Sequence, residues 1–487
     1  MSEKSIKSSL IKGVSFIALA NYSGLIIGLI IISILARLLS PEDFGVVAIA
    51  MVFIVFFSLL SDAGIAPAIV QFKELTDKDI NSIFGFTFWV GIVLSVTFFA
   101  ISGLISAFYE KEILLQLCRI LSIQVFFGTL NIVPNALLLK GKRFDIIAYR
   151  RISIQIFCGA LAIFAAMNGI GIYALLIAPV LGIILEFGVN LFFSKLKIRL
   201  LFDISPVKKI FSFSAFQFLF NFINYFGRNL DKLIIGKSLG LTQLGYYSKS
   251  VRLIMLPVQN ITGVISPVLH PILSDFQNTP EKIYDVYIKL TKLLAHIAFP
   301  VAAILFFTAN ELVLLMFGNQ WGNAVLPFQI LSFSVALQIP TVMAGAILQS
   351  LNKTKILFIL GTINVIIAAT GLLIATFVFG TLEAICIAAV ITSFISFINS
   401  YVTIIIIVFR EDIRIMTKIF LHPLLCYIVL FLLLYPLTMH LNVELIISFL
   451  IKITVWAILT FGYFQLFTEY KPTATFKTLV SKIKRQI

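Results

Sequence analysis

The feature that most constrains this chain is a succession of continuous apolar runs, each about 20 residues long, separated by short polar segments. An α-helix of about that length crosses a hydrocarbon layer of about 30 Å. A membrane β-barrel would need strands in which apolar and polar residues alternate, and these runs do not alternate. Only 12% of the 487 residues are charged, whereas a soluble domain carries about a quarter. The sequence therefore predicts an all-α polytopic membrane protein.

The runs predict about fourteen transmembrane helices in two six-helix lobes followed by a C-terminal helix pair. The first run follows three lysines and is longer than the apolar core of a signal peptide, so we interpret it as a retained helix. The predicted helices cover residues 13–36, 43–61, 81–108, 113–138, 148–167, 170–193, 210–236, 244–269, 287–309, 324–350, 355–377, 380–409, 418–438 and 444–468. The predicted divisions are an N-terminal lobe over 1–209, a C-terminal lobe over 210–415, the final pair over 416–468 and a basic cytoplasmic tail over 469–487.

The basic residues predict how the helices are oriented. The net charge is +15, and the Lys and Arg residues lie in short clusters between the apolar runs, as on the anionic face of a membrane rather than on a nucleic-acid-binding surface. About three quarters of them fall on one side of the predicted helices, which places both termini in the cytoplasm of a bacterial inner membrane. The strongest clusters are Lys140, Lys142, Arg143, Arg150 and Arg151, and Lys195, Lys197, Arg199, Lys208 and Lys209.

Motifs for catalysis and for cofactor binding are missing from the sequence. It has no HExxH pair, no phosphate-binding loop and no Gly-rich dinucleotide turn, and its four histidines are isolated. The four cysteines lie inside apolar runs without metal-binding spacing. We therefore predict no enzymatic activity, no metal, no cofactor and no nucleic-acid partner.

A weak internal repeat relates the two predicted lobes. At an offset of 200 residues, four residues of the first helix region match identical residues of the seventh. In transporters built from repeats, the substrate site lies between the repeated halves. The matched pairs are Phe16 with Phe216, Asn21 with Asn221, Leu39 with Leu239 and Gly45 with Gly245.

Ionisable residues inside the predicted spans are the candidate functional residues, because burying a charge in a membrane is costly. Most are basic and lie at the junction of predicted helices 7 and 8, in what the orientation makes the outer half of the membrane. One interpretation pairs Asp231 with Arg228 and lets the lysines reach the surface. The other, which the number of cations favours, is a water-filled cavity that binds an anionic substrate. The candidates are Arg119, Arg228, Lys232, Lys249 and Arg252 for substrate, and Asp231 and Glu186 for an ion pair or ion coupling.

Several separated segments resemble polysaccharide flippases of the multidrug/oligosaccharidyl-lipid/polysaccharide exporter superfamily, in the Wzx-type branch that includes colanic acid exporters. The resemblance covers about residues 10–350, and the rest matches only in hydropathy. The segments are residues 36–45 (ARLLSPEDFG), 61–65 (SDAGI), 70–76 (VQFKELT), 231–236 (DKLIIG), 244–247 (LGYY), 256–260 (LPVQN) and 317–321 (FGNQW).

The resemblance implies two helical lobes around a central cavity, alternating access, and an isoprenoid-diphosphate-linked oligosaccharide as substrate. A polysaccharide polymerase and glycosyltransferases would be its functional partners. Arginine and lysine pair strongly with phosphate oxygens, so the basic residues above would suit the diphosphate. Lipid II flippases of the same superfamily carry arginines in helix 1, where this chain has Asn21, Tyr22 and Ser23. That departure argues against a peptidoglycan precursor.

Two other functions remain open at this point. A cation-coupled drug or small-molecule antiporter of the same fold is less favoured, because helix 1 has no acidic residue. A membrane enzyme such as a polysaccharide polymerase or ligase is expected to have a sizeable extracytoplasmic loop, and no predicted loop exceeds about 20 residues. The residues therefore favour a flippase.

The predicted orientation can be tested with topology reporters. Fusions after Arg143, after Lys209 and at the C-terminus should all report a cytoplasmic location, because basic loops are retained there. A periplasmic signal at any of the three positions would show that the predicted helix count is wrong.

Overall fold

The computed structural model describes residues 3–62, 64–72, 74–196, 198, 225, 227–274, 276, 279–440, 443–469 and 471. The chain divides into two compact units, Met1–Gly245 and Tyr246–Ile487. Throughout the described ranges the regular structure is helical.

The first unit is a bundle of helices in which α5 is central. Helix α5 packs against α2, α3, α4 and α7, while α6 packs against α1 and α7. Its helices are α1 (Glu3–Leu38), α2 (Pro41–Asp62), α3 (Ile65–Gln71), α4 (Asp77–Tyr109), α5 (Ile113–Lys140), α6 (Phe144–Met167), α7 (Ala174–Ser194), α8 (227–238) and the first residues of α9 (Leu241–Ser274).

The second unit contains the rest of α9 and the remaining helices. Helix α10 packs against α12 and α16, α15 packs against α12 and α14, and α11 packs against α17. Two helices end in π-helical turns, Ala375–Phe379 and Thr403–Phe409. The helices are α10 (Pro280–Phe307), α11 (Ala309–Phe317), α12 (Val325–Thr341), α13 (Met343–Ser350), α14 (Thr354–Ile374), α15 (Leu382–Val402), α16 (Ile415–His440) and α17 (Leu445–Phe467).

Twelve helical segments within the described ranges are long and apolar enough to cross a membrane, and each coincides with a predicted span. The predicted span 244–269 lies within α9, a continuous helix of 34 residues. The predicted span 210–236 lies largely outside the described residues, as do the lobe boundary at 209 and most of the tail 469–487. The prediction of an all-α membrane protein is confirmed, while the total of about fourteen spans and the lobe boundaries stay predictions.

The segment at the start of α2 has a local structural reason for its sequence. Ser40 and Asp43 form a reciprocal cap: the Asp43 backbone N–H donates to Ser40 Oγ at 3.2 Å, and the Ser40 N–H donates to Asp43 Oδ2 at 2.9 Å. Pro41 is the first helical residue, where its fixed φ suits the helix and its missing N–H costs nothing. These residues therefore fix the point at which α2 begins.

Two glycines that the repeat pairs with each other lie at a close crossing of α2 and α9. A Cβ on Gly45 would lie 1.8 Å from the carbonyl oxygen of Leu241, and a Cβ on Gly245 would lie 2.0 Å from that of Pro41. The first residue of each helix thus contacts the glycine one turn inside the other helix. The 200-residue offset therefore relates contacts as well as residue identities. Positions 41 and 45 correspond to positions 241 and 245, and each glycine meets the first residue of the other helix.

A buried ion pair joins α17 to α11 within the second unit. Lys452 Nζ of α17 lies 2.5 Å from Glu311 Oε1 of α11, which also accepts a hydrogen bond from Ser448 Oγ at 2.6 Å. Lys452 also donates to the carbonyl oxygen of Phe307 at 3.0 Å. Both charged residues are buried, so each charge depends on the other for its partner.

The close approach of α2 and α9 at Gly45 and Gly245 predicts that one added methyl group lowers the stability of the protein. Gly45→Ala and Gly245→Ala should each lower stability by at least about 1–3 kcal/mol, because the added carbon meets backbone that cannot rotate away. Gly103→Ala on α4 is the control, since its Cβ would meet nothing within 4 Å. Thermal unfolding of the purified variants in detergent measures the difference, and equal melting temperatures in all three would contradict the described crossing.

Candidate functional site

Helix α8 carries three of the candidate residues and is held by hydrogen bonds to its neighbours. The hydroxyl of Tyr109 on α4 donates to the Leu233 carbonyl at 3.3 Å, and Tyr225, just before α8, donates to the Val52 carbonyl of α2 at 2.7 Å. Both contacts lie within the first unit. The Tyr109 contact holds α8 against α4.

The candidates on α8 have different environments. Lys232 is half-buried and its Nζ donates to Asn229 Oδ1 at 3.0 Å. Asp231 Oδ1 accepts a hydrogen bond from the Lys232 backbone N–H at 2.8 Å. Arg228 is exposed, and no ion pair within 4.0 Å joins it to Asp231, although both lie in the described part of the chain. The same-face spacing of Arg228 and Asp231 therefore does not produce the ion pair that one interpretation of the sequence proposed.

Lys249 on α9 lies in an aromatic box inside the second unit. Its side chain is 4% exposed, with Nζ 5.8 Å from the ring centre of Phe317 and 5.9 Å from that of Trp321. Trp321 is fully buried and packs edge-on against Tyr246 at 6.0 Å. Cation–π contacts of this kind stabilise a desolvated ammonium group. The FGNQW segment at 317–321 thus has a structural reason: its two aromatic rings enclose Lys249.

The two remaining cationic candidates, Arg252 and Arg119, are exposed arginines. Arg252 follows Lys249 by one helical turn and is exposed. Arg119 on α5 is also exposed, and its guanidinium carbon lies 5.0 Å from the ring centre of Phe99. Lys237 at the end of α8 pairs with Glu110 at 2.8 Å. Arg119, Arg228 and Arg252 are therefore the cationic candidates that the structure leaves exposed, and of these Arg119 already contacts an aromatic ring.

Glu186 has a partner that sequence reasoning did not identify. Its Oε1 lies 2.8 Å from Arg150 Nη2, and the Arg150 side chain is only 7% exposed. Arg150 Nη1 also donates to the side-chain Oδ1 of Asn190, and Asn190 Nδ2 donates to Asn131 Oδ1 at 2.7 Å. The ion pair and the Asn190 side chain thus supply charge-assisted acceptors to both terminal nitrogens of the buried guanidinium, while its Nε has no hydrogen-bond partner among the described residues.

Arg150 and Arg151, which belong to the basic cluster predicted to be cytoplasmic, lie in the first half of α6 and contact neighbouring helices. Arg150 faces α7 through Glu186, and Arg151 Nη1 donates to Asn21 Oδ1 of α1 at 2.7 Å. The sequence did indicate that these arginines need partners on other helices, because both fall inside the predicted span 148–167. Asparagines within other spans were the partners that could have been sought.

The Arg150–Glu186 pair predicts a measurable interaction free energy between the two side chains. Glu186→Gln should destabilise the protein by up to about 3–5 kcal/mol, because it leaves the Arg150 charge buried and unpaired. The double variant Arg150→Met/Glu186→Gln should lose less than the sum of the single losses, as measured by thermal unfolding in detergent.

The control is the exposed pair Arg143–Asp145, 3.5 Å apart. Its separate and combined alanine variants should change stability by only about 0–1 kcal/mol. Additive losses at Arg150 and Glu186 would show that the pair contributes no interaction energy.

Comparison with solved structures identifies the fold. The chain superposes on the lipid II flippase MurJ in its inward closed conformation with a TM-score of 0.74 at 17% identity, covering 93% of this chain and 99% of that one. It superposes on an inward-facing multidrug resistance MATE family transporter of the MOP superfamily with a TM-score of 0.62 at 17% identity, covering 84% and 95%. The helical fold is therefore of the MurJ and MATE type.

Comparison of sequences identifies the family. The teichuronic acid biosynthesis protein TuaB of Bacillus subtilis is 23% identical over 73% of this chain and 74% of its own length. The lipopolysaccharide biosynthesis protein WzxC of Escherichia coli is 25% identical over 67% of each chain. The family model described as polysaccharide biosynthesis protein matches residues 34–326, which is more than half of the sequence. The chain is therefore a helical integral membrane protein that belongs to the polysaccharide biosynthesis protein family.

Proposed function

We propose that this protein is a flippase that moves an isoprenoid-diphosphate-linked oligosaccharide from the cytoplasmic to the periplasmic leaflet of a bacterial inner membrane by alternating access. The substrate would be a repeat unit of O-antigen, capsule or exopolysaccharide. The observation that carries the proposal is the pair of exposed arginines, Arg228 and Arg252, on helices of a chain in the polysaccharide biosynthesis family. An exposed guanidinium at membrane depth is costly unless water or an anion reaches it.

The chemistry of the candidate side chains supports a diphosphate as the recognised group. Guanidinium groups bind phosphate oxygens through two parallel hydrogen bonds, which a lysine ammonium cannot do. Lys249 and Lys232 have protein partners, an aromatic box and Asn229 respectively. We therefore assign direct substrate contact to Arg228 and Arg252, with Lys232 and Arg119 contributing positive potential and Lys249 placed between the rings that enclose it.

A cation-coupled antiporter is the second candidate, because the fold is also that of a MATE transporter. Such a function needs a carboxylate that is free to exchange cations. Glu186 is paired with Arg150, and Glu311 is paired with Lys452. Two of the candidate carboxylates are thus held in ion pairs and are not open to an exchanging cation, which supports the flippase over the antiporter.

The proposed substrate contact predicts loss of export without loss of protein. Arg228→Ala and Arg252→Ala should each reduce surface glycan at least about tenfold, since a hydrogen bond to a charged group contributes about 1.5–3 kcal/mol. Arg→Lys should retain part of the activity, because the charge remains. Glycan export and membrane abundance are measured together in a host that lacks its own flippase for that glycan.

Lys237→Ala is the matched control on α8, because it removes a cation from an exposed ion pair with Glu110. It should leave export unchanged. If Asp231→Asn restored export to the Arg228→Ala variant, Arg228 would act through Asp231 rather than through the substrate.

A further inference from the structure

A polar contact between α1 and α6 lies apart from the residues assigned above. Arg151 Nη1 donates to Asn21 Oδ1 at 2.7 Å, and Gln155 Nε2, one turn further along α6, donates to the Gly24 carbonyl at 2.7 Å. Residues four apart on a helix share a face. One face of α6 therefore presents an arginine and a glutamine to one face of α1.

Glycines on α1 make room for this contact. A Cβ on Gly24 would lie 3.1 Å from Gln155 Oε1, and a Cβ on Gly28 would lie 2.9 Å from Gln155 Nε2. A side chain at either position would push Gln155 away from α1 and loosen the two helices around Arg151. The sequence of α1 is thus fitted to hold these polar groups of α6.

The two adjacent arginines of α6 differ in their charge balance. Arg150 is buried and paired with Glu186. Arg151 is exposed, and no acidic side chain of the described residues lies within 4.0 Å of its guanidinium. Its partner Asn21 is neutral and accepts one hydrogen bond, whereas a guanidinium has five N–H donors. Arg151 therefore keeps a full positive charge and most of its donors.

The position of Arg151 along α6 gives its depth. Helix α6 begins at Phe144, so Arg151 lies about 10 Å from the helix start at 1.5 Å per residue. In the predicted orientation that start is cytoplasmic, which places Arg151 in the inner half of the membrane. Arg228 and Arg252 belong to the outer half in the same orientation.

Resting on the proposed flippase function, we propose that Arg151, positioned by Asn21, binds the lipid-linked diphosphate on the cytoplasmic side. The recognised chemistry is a phosphate ester attached to a lipid. An isoprenoid diphosphate and a phospholipid headgroup both offer it, and the test below separates them. Gln155 is a positioning residue, and Asn21 orients the guanidinium without neutralising it.

The test measures binding of undecaprenyl diphosphate to the purified full-length protein in phosphatidylcholine nanodiscs, with and without added phosphatidylglycerol. Arg151→Ala should weaken binding at least about tenfold, and Arg151→Lys should weaken it less. Asn21→Asp is the decisive variant: it keeps a hydrogen-bond acceptor for Arg151 but adds a carboxylate that cancels the charge. It should bind as weakly as Arg151→Ala while unfolding at the wild-type temperature.

Arg143→Ala is the matched control, an exposed arginine next to the start of α6 that already pairs with Asp145, and it should bind as wild type does. Wild-type affinity in both Arg151→Ala and Asn21→Asp, with weakened binding in Arg228→Ala, would overturn the inference and leave the proposed function standing. Competition by phosphatidylglycerol that Arg151→Ala abolishes would identify a headgroup site and overturn the substrate role. A wild-type protein that does not bind undecaprenyl diphosphate would contradict the proposed function itself.

Discussion

A charged side chain within a bilayer must be paired, enclosed or hydrated, and this requirement organises the polar residues of the protein. Arg150 and Lys452 are paired with carboxylates, and Lys249 is enclosed by aromatic rings. Arg151 and Arg228 are exposed, and within the described residues no acidic side chain lies within 4.0 Å of either guanidinium. The same physical rule therefore separates charges that hold helices together from charges that are available to a ligand.

The helices could be predicted from sequence because their signal is local. Apolar runs of about 20 residues determine a spanning helix on their own, and twelve of the predicted spans coincide with helical segments of the structure. Partners are not local. Glu186 and Arg150 are far apart in the sequence and on different helices, and nothing in either run indicates that they meet. The spacing of Arg228 and Asp231 suggested an ion pair, yet sharing a helical face places two groups near each other without making them bond.

Two of the short segments that resemble flippases have mechanical roles in the structure. Residues 40–45 cap α2 and let α9 approach its backbone, and residues 317–321 supply the rings that enclose Lys249. Neither role involves a substrate. Sequence similarity in these segments therefore reports the construction of the fold, while the candidate binding arginines lie on helices between or beside them.

The ion pair between Glu311 and Lys452 has a consequence for how the protein is made. A lysine within a lone apolar helix opposes insertion, by as much as about 2.5–3.5 kcal/mol at the helix centre. Glu311 precedes Lys452 in the sequence, so its carboxylate is synthesised first. We therefore expect stable integration of α17 to depend on its docking against α11, where Glu311 compensates the lysine charge.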